Sequence, residues 1–422
     1  MGDARKVVVI GAGIIGAFAA WELVEDGHDV VILDAEQPGG RQGASYGNGG
    51  WIMESSLLPV SVPGLWRQVP GYLMDPLGPF AIRWSHLPGL TPWLARFLLA
   101  GSGVGKIERT AGFRHALTQG AFQRYEAVAE ANGLASLFRR DGHLFLYPDR
   151  ATYEADGLAW GLRRRYGIEW QELEGEALHA FEPGLGAHHR FGVYIRAGAN
   201  LSDPGAFVAG LVEGAARRGA VQQRARATGF RFEENRLRAV KTDHGDIDCG
   251  RAVLTAGINA RDLALQCGDQ VPLEAERGYH VVVPDIEGGP RHPVMMMDGK
   301  MVFTWTQAGL RIAGQVELAS LGAAPDWRRA DILLKHLERA FPAMADRLEE
   351  GVIDRWMGNR PSTPDGIPCI GPSRLSPDII YGFGHGHSGI TMAPMTGRLI
   401  ADLCGGRHPA IDPKPYEAER FR

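Results

Sequence analysis

The chain has 422 residues, 45% of them hydrophobic and 22% charged, with a formal net charge of −4. This is the composition of a globular protein too long for one simple core, and its mild acidity offers no basic field to nucleic acid or acidic lipid. Four cysteines without a C-x-x-C pair (Cys249, Cys267, Cys369 and Cys404) argue against a disulfide framework or a cysteine metal cluster.

The first element begins near the start of the chain, so no secretory signal is expected and the cytoplasm is the expected location. No apolar run approaches the ~20 residues of a membrane helix. The segment from Trp93 to Leu99 has the composition of a bilayer-lying helix, but a buried helix is the preferred reading.

Val7 to Ile10 is a short apolar run suited to a buried parallel strand. Gly11, Gly13 and Gly16 follow in G-x-G-x-x-G spacing, then a helical pattern from Ile15 to Val24 with Gly27 at a cap position. A second apolar run, Val30 to Leu33, ends in Asp34. Such a strand–turn–helix–strand–acid unit binds a dinucleotide. The first glycine makes the tight turn, the second admits the pyrophosphate and the third lets the helix approach the strand. The helix start, with Ile14, presents free N–H groups to phosphate. Asp34, followed by Ala35, is placed to accept the ribose hydroxyls.

The polar loop from Gly39 to Gly50 is too rich in glycine for a regular element. It is expected to cradle the cofactor, with side-chain hydrogen bonds from Ser45 and Asn48 and close backbone approach at Gly49 and Gly50. Residues 57–104 read as irregular turns with short helices, 106–131 as helix and 142–147 as a strand. Residues 150–166 read as a charged helix with Arg163, Arg164 and Arg165 on a solvated face. Asp203 and Pro204 open a helix to about Arg218. Short strands from Ala220 to Leu254 turn at Glu233–Asn235 and deliver Ala256 and Gly257 where backbone comes close to a ligand. A helix follows over 258–266. Residues 278–284, 294–297, 300–306 and 310–316 read as strands of a meander, 326–341 as helix, and 367–370 and 379–381 as strands. A glycine-rich turn from Gly382 to Gly389 precedes a helix from about Met392 to Leu403.

With these motifs in order, the chain resembles the FAD-dependent D-amino acid dehydrogenase family, within the D-amino acid oxidase and glycine oxidase group. The likeness rests on Gly11–Gly13–Gly16 with Asp34, the loop from Gly43 to Gly50 and the helix start at Asp203–Pro204. It continues through Thr255–Gly257, Arg277–His280, Gly358–Asp365 and the turn from Gly382 to Gly389. It implies an α/β fold: a discontinuous Rossmann-like FAD-binding domain of glutathione-reductase type (1–80, 195–275 and 355–422), and an interleaved α+β substrate domain on an antiparallel sheet (81–194 and 276–354). The Arg277–His280 motif also resembles members that act on cyclic imino acids such as D-hydroxyproline.

The implied reaction removes a hydride from the α-carbon of an amino or imino acid, with non-covalent FAD supplying the redox chemistry. Arg360, in Gly-x-Arg-Pro, matches the family's carboxylate-binding arginine, a role suited to a planar guanidinium. Tyr279 matches a tyrosine that donates to the substrate carboxylate. Arg277 and His280 flank it and are expected on the opposite strand face. Gly384, His385, Gly386, Gly389 and Ile390 are expected against the flavin ring, whose reduced form the turn's N–H groups would stabilise. His387 is placed near the substrate. His-x-His without further ligands is a poor metal site, so no metal is expected. No obligatory catalytic base is evident; a substrate amine bound neutral would leave an iminium for water to hydrolyse.

A small amino or imino acid and an electron acceptor (quinone, carrier protein or oxygen) are the expected partners, with peripheral contact on the inner face of the membrane as an alternative placement. Three other functions stand as alternatives. An NAD-dependent dehydrogenase would share only the opening motif. A flavin subunit of a multi-component dehydrogenase, or a glycine/sarcosine-type oxidase, would share the cofactor. Trp305 and the run Met295–Met297 depart from the family pattern and bear on the pocket's shape.

Overall fold

The computed structural model describes residues 6–75, 77–284, 287–348 and 353–422. A six-stranded sheet runs in the order Val221–Arg224, Val30–Asp34, Val7–Ile10, Arg251–Leu254, Ile379–Phe383, Cys369–Pro372. Neighbours are parallel except the last pair. The Val7–Ile10 strand is buried throughout, as its unbroken apolar run requires of a central parallel strand. Helices Ile14–Glu25, Pro204–Arg217 and Gly389–Gly405 pack together on one side, Phe18, Phe207 and Leu399 being fully buried among them. Asp203 caps the second of these helices by accepting from the Ala206 N–H at 2.9 Å, with Pro204 in the first turn.

A nine-stranded sheet forms the second layer. Its main path is Asp354–Ser362, Glu274–Val283, Gly309–Leu318, Met301–Thr306, Val294–Met296, His143–Tyr147, Phe191–Ile195, Gln171–Glu174, with Phe80–Ile82 beside Gly309–Leu318. It is antiparallel apart from the pairings of Val294–Met296 with His143–Tyr147 and of Phe80–Ile82 with Gly309–Leu318. The α/β class and the antiparallel substrate-side sheet are therefore present.

Several local expectations change. The Gly-x-Arg-Pro segment, which received no element from the sequence, lies in a nine-residue strand, Asp354–Ser362. It is an edge strand, so Pro361 removes no hydrogen bond that the ladder needs. The 150–166 helix breaks in two at Asp156, and Arg163 lies on the inward face of the second helix. Arg163 is 8% exposed, its guanidinium 4.5 Å from the Trp160 ring centroid, so only Arg164 and Arg165 of the triplet remain available for a solvated face. The 106–131 pattern is likewise two helices, Val104–Thr118 and Ala121–Asn132, parted at Gly120. In helix Leu87–Ala100, Trp93 is buried and donates to the Ser362 carbonyl, while Leu98 and Leu99 are exposed. Among the described residues no helix is long and apolar enough to cross a membrane.

The hairpin of Ala227–Glu233 and Arg236–Thr242 turns through Glu234 and Asn235, both left-handed at φ 50° and 61°. Two left-handed residues in a two-residue loop match the strands' twist, and Asn tolerates the conformation better than Glu. Asn235→Val is expected to cost about 1–2 kcal/mol and Glu234→Gly to be neutral or stabilising, as measured by urea unfolding of the holoprotein.

Candidate active site

The turn after the first strand has the shape a dinucleotide needs. Gly11 is left-handed at φ 101°, and a Cβ on Gly16 would lie 1.8 Å from the Gly11 carbonyl oxygen, so only glycine permits this approach of helix to strand. Asp34, at the end of the neighbouring strand, accepts from the Ala12 N–H at 2.6 Å and the Glu36 N–H at 2.9 Å. The carbonyl of Ala35 takes the Arg224 guanidinium. Ser45 reaches from the glycine-rich loop to accept from the Ile14 N–H at 3.1 Å, and so stands at the helix start. Thr255 donates to the carbonyls of Ile10 and Gly11, locking the third strand's end onto the turn. Beyond it, Ala256 leads into Gly257, at φ 58°, whose Cβ direction opens on empty space.

The glycine-rich loop is pinned from the second sheet. Buried Arg311 donates to the carbonyls of Tyr46 (3.0 Å) and Asn48 (2.8 Å), and His280 Nδ1 to that of Gly47 (3.0 Å). The Asn48 side chain closes its own loop, accepting from the Gly50 N–H at 2.9 Å. Gly49 packs against Val302. Trp356 stacks on His280 with 5.0 Å between ring centroids and lies over Gly47.

The last turn completes the cleft. Gly384 and Gly386 are left-handed, and the helix Gly389–Gly405 starts immediately after, with Ile390 buried. His385 is buried, with Nε2 3.0 Å from the Thr396 hydroxyl; burial, then the nearby Arg114 cation, push its pKa down to about 3, so it is neutral.

Arg360 stands opposite Glu276 across two antiparallel strands. Its guanidinium fills the space left by Gly278: a Cβ there would lie 2.1 Å from Nη2. It donates to the carbonyls of Gln315 (3.0 Å) and Gly314 (3.3 Å). Gln315 is itself left-handed at φ 58°, at the bulge opposite Gly278, which aims its carbonyl at the arginine. Burial lowers the Arg360 pKa, and the nearby Glu276 charge partly restores it.

Glu276 is 4% exposed. Its Oε2 accepts from the Ser362 hydroxyl at 2.9 Å and lies 2.6 Å from His387 Nε2. Burial pushes its carboxyl up, but His387, the Ser362 hydrogen bond and Arg360 outweigh this and hold it below the ordinary carboxylate value. Glu276, Ser362, His387, Ser56, Ser388 and Arg114 line a cavity of about 100 Å³. Arg114 is also buried. It donates to the Gly366 carbonyl (2.7 Å), the Ser388 hydroxyl (2.7 Å) and the Ser56 carbonyl (3.2 Å), and burial lowers its pKa to about 10.

Tyr279 is not beside Arg360. Its side chain lies on the other strand face, its hydroxyl 2.6 Å from Glu317 Oε2 and accepting from the Asp326 N–H at 3.0 Å. Arg277 shares that face, two residues away, and lies 3.5 Å from the same Glu317. The expectation that it opposes Tyr279 is thus corrected; only His280 does so, where it serves the loop. Glu276, Arg311, Arg114 and Trp356 were not singled out from sequence. The available signal was a charge inside a strand of apolar neighbours, as in Leu310–Arg311–Ile312. Elsewhere, His188, His189 and Asp298 bring ligand-type atoms within 4.8 Å of one another. They form a hydrogen-bond chain in which Arg339 donates to His188 Nδ1 and both imidazoles face the carboxylate at 3.1 Å.

The family described as FAD dependent oxidoreductase, DAO, matches residues 6–403. The D-amino-acid oxidase of Bradyrhizobium diazoefficiens is 45% identical over 421 residues, covering 100% of both chains. D-amino acid dehydrogenase 2 of Ralstonia nicotianae is 31% identical, covering 98% of this chain and 100% of its own. In structure, glycine oxidase from Geobacillus kaustophilus aligns with a TM-score of 0.75 at 21% identity over 98% of each chain, a likeness of fold. The chain belongs to the DAO family of FAD-dependent oxidoreductases, and its cofactor is FAD. The NAD-dependent alternative is thereby set aside. The residues fit that cofactor: the Gly11–Gly16 turn, Asp34, Ser45, the backbone at Gly257 and the Gly384–Gly389 turn present the glycine-lined walls and donors it requires.

A side chain at Gly16 lifts the helix from the strand. Gly16→Ala is expected to yield folded protein with at least about tenfold weaker flavin retention, equal to the ~1–3 kcal/mol typical of overpacking, read as flavin absorbance relative to protein absorbance after gel filtration.

Proposed function

We propose that the chain oxidises the C–N bond of a D-amino acid or a cyclic imino acid, such as D-proline or hydroxy-D-proline, to an imine that water converts to a 2-oxo acid. When bound, FAD would supply the two-electron acceptor for the hydride that leaves the substrate Cα. The observation that carries this reading is Arg360: a half-buried guanidinium in the space left by Gly278, donating to the carbonyls of Gln315 and Gly314 with the Glu276 carboxylate nearby. Its remaining donors suit an anionic substrate group, and a bidentate carboxylate grip fixes the orientation of Cα. The names of the two relatives, one an oxidase and one a dehydrogenase of D-amino acids, support the substrate class. Tyr279 acts in this reading by holding the Glu317 network behind the strand.

The test is anaerobic bleaching of the flavin by a panel of D- and L-amino acids, prolines and N-methyl glycines. D-amino acids or D-prolines are expected to bleach it, and bleaching by the L-series alone would overturn the reading. Bleaching by the isolated chain also separates it from a subunit that needs a partner. Peroxide formation in air, set against dye reduction, identifies the acceptor. Arg360→Ala is expected to raise KM on the order of 10²-fold, the cost of truncating one partner of a buried charge pair, with flavin content unchanged. Unchanged kinetics would remove Arg360 from the site.

FAD is held without a covalent bond in this reading. All four cysteines are buried, and burial pushes their thiols up to about 11 for Cys369 and about 12 for the others, away from the reactive thiolate. Acid precipitation is expected to release all the yellow colour into the supernatant; a yellow pellet would contradict it.

A further inference from the structure

We propose that His387 is the base that takes a proton from the substrate's ammonium group, and that Glu276 positions this imidazole and holds the imidazolium that forms. The inference rests on the amino-acid reading above and adds a step to it. A hydride leaves Cα only as the nitrogen lone pair forms the C=N bond, and an ammonium group has no lone pair. An amino acid arrives from neutral water protonated, so the site needs a proton acceptor close to the carboxylate grip.

The geometry supplies one. Glu276 stands directly across the strand pair from Arg360, and its Oε2 lies 2.6 Å from His387 Nε2. A carboxylate can only accept, so the shared proton belongs to Nε2, and the neutral imidazole keeps a bare lone pair on Nδ1. The arrangement is that of a histidine oriented by a carboxylate, in which the acid fixes the tautomer and stabilises the charged ring without itself taking the proton. Ser362 donates to the same oxygen and fixes the carboxylate. The His387 side chain is 37% exposed, while Glu276 is buried, so the ring touches both the cavity and water. The ammonium N–H bond breaks, its proton bonds to Nδ1, and the lone pair stays on the substrate nitrogen. The imidazolium then returns the proton to solvent.

Other charged groups around the ring are accounted for. Arg360, on the edge strand, acts on it through Glu276. Arg114, from helix Val104–Thr118, reaches the adjacent Ser388 hydroxyl at 2.7 Å. His385, in the same turn, is neutral and faces Thr396. Glu274, two residues before Glu276, is paired with His86 at 3.1 Å. Both guanidiniums oppose a charged imidazole, so Glu276 is the group that makes one tolerable.

The measurement is the rate of anaerobic flavin reduction in the holoenzyme at saturating D-amino acid or D-proline, whichever bleaches the native enzyme fastest, followed against pH. The native rate is expected to rise with pH through one ionisation. His387→Gln should lower the neutral-pH rate about 10²-fold, the usual worth of a positioned base, and replace that ionisation with the substrate amine's own at higher pH, while Ki for a carboxylate inhibitor such as benzoate stays within a few-fold. Glu276→Gln should move the ionisation to lower pH by about one unit or more, because an imidazolium without its carboxylate is less stable. Native pH profiles and rates in both variants would overturn the proposal. If Glu276→Gln fails to hold flavin, His387→Gln, at a partly exposed position, decides alone. If no amino acid bleaches the native enzyme, the functional reading falls and this step falls with it; if the native enzyme is bleached and the variants behave like it, only the base assignment falls.

Discussion

Three consecutive carbonyls, those of Tyr46, Gly47 and Asn48, are held by two buried side chains of the other sheet, Arg311 and His280. This joint fixes the glycine-rich loop that follows the nucleotide-binding strands against the wall that carries Arg360. Both side chains are desolvated. Burial depresses the pKa of each and, with the neighbouring Arg311 cation, takes His280 to about 3. A neutral His280 must therefore carry its proton on Nδ1 to serve Gly47. Trp356 closes over the same glycine, and its indole donates to the Arg41 carbonyl. The exposed Arg41–Asp354 pair at the rim adds little by comparison, since water screens it. The cofactor cleft and the substrate wall thus share one buried hydrogen-bonded seam.

Charge around the cavity follows a related logic. Arg114 is buried and Arg360 half-buried, and both are satisfied mainly by neutral oxygens, with one carboxylate, Glu276, between them and the solvent-facing His387. Burying two guanidiniums against one carboxylate is expensive unless a further anion arrives. A substrate carboxylate is such an anion. The same balance explains why Glu276 stays ionised though buried: the positive groups around it outweigh its loss of hydration.

The nucleotide unit from Val7 to Asp34 was legible in the sequence because its strand, turn, helix and acid are contiguous, each with its own local signature. The seam was not, because it is made by residues more than 200 positions apart that local pattern cannot pair. Gly-x-Arg-Pro could be matched to a role but not to a strand. Its glycine and proline argue against regular structure, and only its place at the sheet edge, with Gly278 facing Gly358, reconciles them. Tyr279 was legible as a strand tyrosine; its partner Glu317 was not, because it lies on a strand whose register shifts at a bulge near Gln315 that one sequence does not announce. Arg163 turned inward because three consecutive helical residues, each about 100° from the last, cannot share one face.

Ser388 shows how local preference yields to the site. It precedes the helix Gly389–Gly405, where serine ordinarily caps the first-turn N–H groups, yet its side chain makes no such cap. The hydroxyl is taken by Arg114 and by Ser56. The helix also has no acidic residue in its first turn. The other helix start in the cleft, Ile14–Glu25, begins after Gly13 and equally lacks an acidic first turn and a cap from its own N-cap residue. Both therefore keep their positive ends unneutralised by their own side chains. An isolated helix would lose stability by this. In a fold that holds FAD, two such starts would suit the cofactor's phosphates and the charge that develops on its reduced ring.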